Sequence, residues 1–314
     1  MTQMSAKARL PLGKRIRREL QRNYMLYIMA LPVALYFLLF HYGPMYGLMM
    51  AFKDYSVGLG LMKSPWVGFK HFVNFFNSPY FLRTLRNTLL ISVYSIAFGF
   101  PAPIILALLL NEIKVTAFKR AIQTITYLPH FVSMVVMCGI IIDFFSRNGV
   151  VTQLLHHRTG IKARNLLLQP EYFRTIYVST GIWQSIGWGS IVYISALSTI
   201  DAELYEAAVL DGANRFQQML HVTLPGIMST ILTMFIMRVG RIMSVGYEKI
   251  ILLYNPNTYE TADVISSFVY RYGLGSAQDY SYTSAVGLFS SVINLIILVA
   301  ANRFSRAVSD TSLF

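Results

Sequence analysis

Arg238, Arg241, Glu248 and Lys249 stand inside an otherwise apolar stretch from Gly226 to Leu253. If that stretch is one membrane-spanning helix, Arg238 lies ~18 Å from its start, near mid-membrane, at 1.5 Å rise per residue. A charge there costs at least ~2.5–3.5 kcal/mol unless it faces protein or a watery cavity. Positions 238, 241, 245 and 248 share a helical face, so Arg238, Arg241 and Glu248 form a stripe. The stripe is either an ion-pair lock between helices or the polar wall of a translocation path, and its positive surplus suits an acidic ligand. A second set combines Trp183, Gln184 and Trp188 with Gly181, Gly187 and Gly189. Counted from Thr175, Trp183 is ~12 Å and Trp188 ~20 Å into its helix, too deep for an interfacial aromatic belt. Gln184 and Trp188 share a face at i, i+4, which fits either plain packing or a platform that stacks on and hydrogen-bonds a sugar. Asn294 reads first as glue between helices and second as part of such a path.

Other chemistry is missing from the sequence. His156 and His157 are adjacent and point apart, His130 follows Pro129, and His41 is alone. Cys138, the single cysteine, sits in an apolar run, so neither a disulfide framework nor a thiolate metal cage is expected. No serine, cysteine or carboxylate pair stands in a hydrolase motif. The chain reads as having no catalytic residue, no metal site and no cofactor of its own.

The elements that must carry these residues are membrane helices. Of 314 residues, 55% are hydrophobic and only 13% charged, with a mean hydropathy of +0.50. A soluble domain carries about 25% charged residues. Five stretches free of Asp, Glu, Lys and Arg are long enough to cross a bilayer: Tyr24–Phe52, Asn87–Asn111, Ala121–Ile142, Thr175–Ile200 and Tyr280–Asn302. With the charge-interrupted stretch 226–253 they predict an all-α protein of six transmembrane helices. The runs are too continuous for barrel strands. The net charge of +13 is read through the positive-inside rule, not as a nucleic-acid surface. Lys7, Arg9, Lys14, Arg15, Arg17, Arg18 and Arg22 precede the first span against one acid, Glu19, which predicts a cytoplasmic N-terminus. Six spans return the C-terminus to the same side. The expected organisation is a basic segment 1–23, a first span 24–52, a core 84–302 that holds the other five spans and a tail 303–314.

The loop 201–225 then falls in the cytoplasm. Asp201 can cap a short helix, Glu203 and Glu206 suit its positive end, and Gly212 supplies the left-handed residue that ends it. Pro225 is placed to open the next span, where its missing N–H costs little. Leu204, Ala207, Ala208 and Val209 leave an apolar surface outside the membrane, which suits a docking partner. Glu206-Ala207-Ala208, three residues, Gly212, nine residues, Val222, one residue and Leu224-Pro225 resembles the coupling loop of type I ABC importer permeases, with Val at 222 where the pattern also allows Ile. Phe52-Lys53-Asp54-Tyr55, Asn87-Thr88, Ala107 to Asn111-Glu112, Gln123-Thr124, Tyr127-Leu128-Pro129-His130-Phe131 and Tyr259-Glu260-Thr261 extend the likeness over almost the whole chain, to the LplB-like branch of carbohydrate permeases.

That resemblance implies a type I permease fold, with 84–302 as the permease core, and a transport subunit, not an enzyme, in the inner membrane of a bacterium. It implies pairing with a second permease, a different chain in the reading taken here, with two ATPase subunits and an extracytoplasmic solute-binding protein. ATP and Mg would be bound by the ATPases, since this chain lacks a G-x-x-x-x-G-K-[ST] loop. The helix around Glu206, Ala207, Ala208, Asp211 and Gly212 would seat in an ATPase groove, with Glu206 as the charged contact. An ion-coupled secondary sugar transporter is the alternative, but its internal repeats and midplane acids are not visible. Basic residues in span five and in the outer loops lean towards an acidic oligosaccharide, and an importer of alginate or pectin fragments fits this profile.

Overall fold

The structure is a computed structural model that describes residues 13, 19–160, 163–275 and 278–308. Most of the basic N-terminal segment, Lys162 and the last residues of the tail therefore lie outside the described residues. Those described are almost entirely helical, with one isolated β-bridge, Lys53 to Trp66. The main helices are α1 (Tyr24–Phe52), α2 (Phe81–Glu112), α3 (Thr116–Tyr127), α4 (Met134–Thr159), α5 (Pro170–Leu197), α6 (Ala202–Leu210), α7 (Arg215–Gly226), α8 (Met228–Val239), α9 (Tyr247–Leu253), α10 (Ile265–Gly273) and α11 (Tyr280–Val308). Of these α1, α2, α4 and α11 have both the length and the apolar content to cross a membrane. A fifth crossing results if α7 and α8, bent by 61°, count as one span. Helix α5 has 28 residues, about 42 Å at the helical rise, but its Ser, Thr, Gln and Gly make it more polar. A polar helix at membrane depth must face protein or a cavity, and α5 is the central strut of the bundle, packed on α2 and α3.

Two expected spans differ from what is found. Ala121–Ile142 is not one helix. Helix α3 ends at Tyr127, Pro129 opens a 3-10 turn Leu128–Phe131, and α4 starts afresh from Ser133, whose hydroxyl accepts the Val136 N–H at 3.4 Å. The apolar crossing is therefore shifted to Met134–Thr159, with a notch at 146–149. Nor is 226–253 continuous. Gly240, a poor helix former, ends α8, and the chain runs without helix until Gly246 caps α9. Freed backbone groups at membrane depth need partners, and distant side chains supply them. Ser92 donates to the Ile242 carbonyl at 2.5 Å, Ser266 donates to that of Val245 at 2.6 Å, and Asn294 accepts the Met243 N–H at 2.9 Å. The break is built in. Pro225, expected to open this span, instead lies in the last turn of α7, before the bend.

Among the described residues, buried apolar side chains form three clusters. The largest joins α2, α4, α5 and α9 through residues such as Ile91, Met137, Ile141, Phe173, Ile176 and Ile250. In contrast, α1 is exposed along nearly its whole length, with only Ala51 buried, and packs through its last turns against α11.

Candidate functional site

Tyr177, Gly181, Ser185 and Trp188 on α5 follow one another at three- and four-residue steps, and Gln184 stands three after Gly181 and four before Trp188, so they share a face. That face lines a cavity of about 830 Å³. The opposite wall comes from the end of α8, the break and the start of α9, and it carries Arg238, Arg241, Glu248 and Lys249. Ser92 and Ser95 of α2 close a third side. Gln184 is the fifteenth residue of α5, so the cavity lies about halfway along that ~42 Å helix.

Of the residues singled out from sequence, Arg238, Arg241, Glu248, Gln184 and Trp188 meet at this cavity, whereas Trp183 and Asn294 are not among its lining. The single helical face proposed for Arg238, Arg241 and Glu248 does not exist, because Arg238 ends one helix, Arg241 lies in the break and Glu248 begins another. They converge through tertiary structure instead. Asn294 serves the break, holding the Met243 N–H and donating to Ser244 Oγ at 2.8 Å. Trp188 is stacked face to face on His130, centroids 4.6 Å apart and planes 4° from parallel, with Phe131 edge-on at 5.7 Å. The 3-10 turn that breaks the expected third span thus sets two rings against Trp188, which lines the cavity. Pro129 and the capping Ser133 are the sequence signals for it.

Lys249 was not selected by the face argument, yet it is the most enclosed charge of the set, 5% exposed. Its Nζ donates to the Tyr177 carbonyl at 3.0 Å and lies 4.8 Å from the centre of the Tyr177 ring. None of the ion pairs among the described residues involves Arg238, Arg241, Glu248 or Lys249. Three cations and one carboxylate therefore share the cavity without pairing, and the lock reading of the charged stripe loses its basis.

A buried ionic network ties the elements together at the Pro170 end of α5. Asp263, 0% exposed, accepts from Arg83 at 3.0 Å and from both terminal nitrogens of Arg271 at 2.8 and 3.1 Å. Burial works against the Arg271 charge, but the hydrogen bonds and charge of Asp263 outweigh it and raise the guanidinium's pKa above its usual value. Asn87 of α2 donates to the Glu260 and Asp263 carbonyls at 2.9 and 3.0 Å and accepts from Arg174 of α5 at 2.8 Å. Thr88 accepts the Ile265 N–H at the start of α10 at 3.0 Å. These partners explain why Asn87-Thr88 and Glu260-Thr261 belong together.

At the other end of α5 stands the segment 201–226. Asp201 accepts the Glu203 N–H at 3.0 Å and caps α6. The helix ends at Gly212, φ 78°, where the Ala213 N–H reaches the Ala208 carbonyl at 2.9 Å and the Gly212 N–H that of Val209 at 3.0 Å. This is a Schellman stop, which needs a left-handed residue. Asn214 and Gln217 cap α7 reciprocally. Tyr205 Oη lies 3.0 Å from Thr223 Oγ1 and clamps α6 to α7. Glu206, Ala207, Asp211 and Gly212 are exposed and Leu210 is 88% exposed, so α6 presents an apolar surface with acids beside it.

Comparison with known proteins places this geometry. Residues 99–310 match the family described as "Binding-protein-dependent transport system inner membrane component". Protein LplB of Bacillus subtilis (strain 168) is 44% identical over 94% of this chain and 92% of its own length. The polygalacturonan/rhamnogalacturonan transport system permease protein YteP of the same organism is 40% identical over 96% of this chain and 94% of its own. A crystal structure of a bacterial alginate ABC transporter in complex with an alginate pentasaccharide-bound periplasmic protein contains a chain of the same fold, with a TM-score of 0.87, 45% identity and coverage of 95% and 100%. The chain belongs to the family of binding-protein-dependent transport system inner membrane components, the multi-pass permease subunits of ABC transporters.

Proposed function

We propose that this permease carries an acidic oligosaccharide, of the alginate or pectin-fragment kind, across the inner membrane. It does so with a second, different permease, a solute-binding protein and two ATPases. The observation that carries the reading is the cavity halfway along α5, whose lining includes Arg238, Arg241 and Lys249 with a single carboxylate, Glu248. A surplus of cations lining one cavity attracts an anionic visitor. Two relatives act on uronic-acid polymers by name, the polygalacturonan/rhamnogalacturonan permease and the alginate importer. Trp188, with its His130 and Phe131 neighbours, offers an apolar ring face of the kind that packs on a sugar, and Gln184 offers hydrogen bonds beside it.

Energy enters through α6. Its exposed apolar surface and the charge of Glu206 seat in an ATPase groove, and Gly212 makes the turn that fits. Closure of the ATPases on nucleotide pulls the two permeases as rigid bodies from inward-facing to outward-facing. The test is uptake by the complete complex in vesicles, with oligogalacturonate or oligomannuronate supplied on the binding protein. Arg241→Ala is expected to abolish uptake of the charged sugar while the chain still inserts in the membrane. Uptake at the wild-type rate would remove the acidic path.

A further inference from the structure

The ammonium of Lys249 is buried, lines the cavity and has no carboxylate within 4.0 Å among the described residues. One of its three donors is spent on the Tyr177 carbonyl. The Tyr177 ring, 4.8 Å away, adds a cation–π contact that holds the head group in place. Beside it α5 has no side chain: a Cβ built on Gly181 would stand 3.6 Å from Nζ, with no other atom within 4 Å outside its own stretch of helix. The wall of α5 is thus notched at the point where the ammonium waits.

We propose that Lys249 is a carboxylate-binding group of the cavity, reached through the notch at Gly181, and that it takes the sugar carboxylates of the cargo one at a time. This rests on the acidic-oligosaccharide reading above. If Lys249 served only to join α9 to α5, a neutral donor to the Tyr177 carbonyl would do so without burying a charge. A charge with two open donors is explained by a partner that arrives from the cavity. Lysine suits passage better than arginine would. Its point charge makes no bidentate fork with a carboxylate, so each contact is favourable but easily released. A transport site has to let go as well as bind.

The experiment uses the whole complex, reconstituted with its ATPases and supplied with binding protein loaded with tetragalacturonate. Uptake is compared for wild type, Lys249→Met, an unbranched apolar side chain one atom shorter, and Lys249→Arg. The methionine variant is expected to lose at least tenfold in uptake, about 1.4 kcal/mol, and the arginine variant to recover most of it. Independently, the wild-type complex is treated with a water-soluble carbodiimide while cargo is being delivered. The reagent joins a carboxylate to a neighbouring amine as an amide, so mass spectrometry is expected to find tetragalacturonate on the peptide containing Lys249. Wild-type uptake in Lys249→Met, or no adduct on a complex that is importing the cargo, overturns the subsite and leaves the acidic-cargo reading intact. Should Lys249→Met fail to assemble, the adduct decides. A wild-type complex that imports no uronate oligomer at all sinks the broader reading and the subsite with it.

Discussion

Asp263→Asn removes one charge and almost no volume from the network at the Pro170 end of α5. The carboxylate has no exposure and accepts three hydrogen bonds from two arginines and one from Ser267 at 2.9 Å. The amide keeps one acceptor oxygen but turns an NH2 towards guanidinium donors. A hydrogen bond to a charged group contributes about 1.5–3 kcal/mol net. The side chains of Arg83 and Arg271 are 31% and 28% exposed, so water relieves part of the loss when the carboxylate goes. The lower end of the range applies to each arginine, giving about 3 kcal/mol in total. At roughly 2 °C per kcal/mol for a chain of this size, the melting temperature of the purified complex should fall by about 6 °C. Arg83→Met should cost about half as much, because Arg271 keeps both its bonds to Asp263. Thermal melting followed by intrinsic fluorescence or by retention on a sizing column measures both. An Asp263→Asn complex that melts within 2 °C of wild type, or an Arg83→Met complex as damaged as Asp263→Asn, would refute the reasoning.

Other perturbations follow from single contacts. Gly212→Ala forces a left-handed residue to carry a Cβ, which costs on the order of 1 kcal/mol or more locally; with Glu206→Ala, it should leave the chain in the membrane but lower transport per ATP hydrolysed, read as the ratio of uptake to phosphate release. Gly187→Ala places a Cβ against the Thr126 backbone, a close contact that would part α3 from α5. It should cost about 1–3 kcal/mol in complex stability, visible in the same melting assay. Gly139→Ala meets nothing within 4 Å and should be silent.

The segment 201–226 was legible because its structure is local. A capping aspartate, a terminating glycine and an exposed apolar face are written within a few residues of where they act. The membrane helices were legible from the absence of charge, and the errors came from the same rule. Counting charge-free residues from Ala121 ran through Pro129 and Ser133, a stop and a start signal, and so placed the third crossing too early. The break at 240–246 carries its own local signal in Gly240, but what makes it tolerable is remote. Ser92, Ser266 and Asn294 come from elements tens of residues away, and each meets one backbone or hydroxyl group of the break. Helical periodicity therefore grouped Arg238, Arg241 and Glu248 on a face that is not there, and passed over Lys249, one residue out of phase. The cavity's charge set depends on the break. A continuous helix would hold Arg238 and Lys249, eleven positions apart, ~16 Å from each other along its axis, at 1.5 Å rise per residue. The helix stops at Gly240 and restarts at Gly246, and α9 packs on α4 and α10. Lys249 then reaches the Tyr177 carbonyl while Glu248 still lines the same wall. The polar side chains that hold the break are thus what keep the cations of α8 and α9 in one cavity, and Ser92, which lines it as well, ties the break to α2.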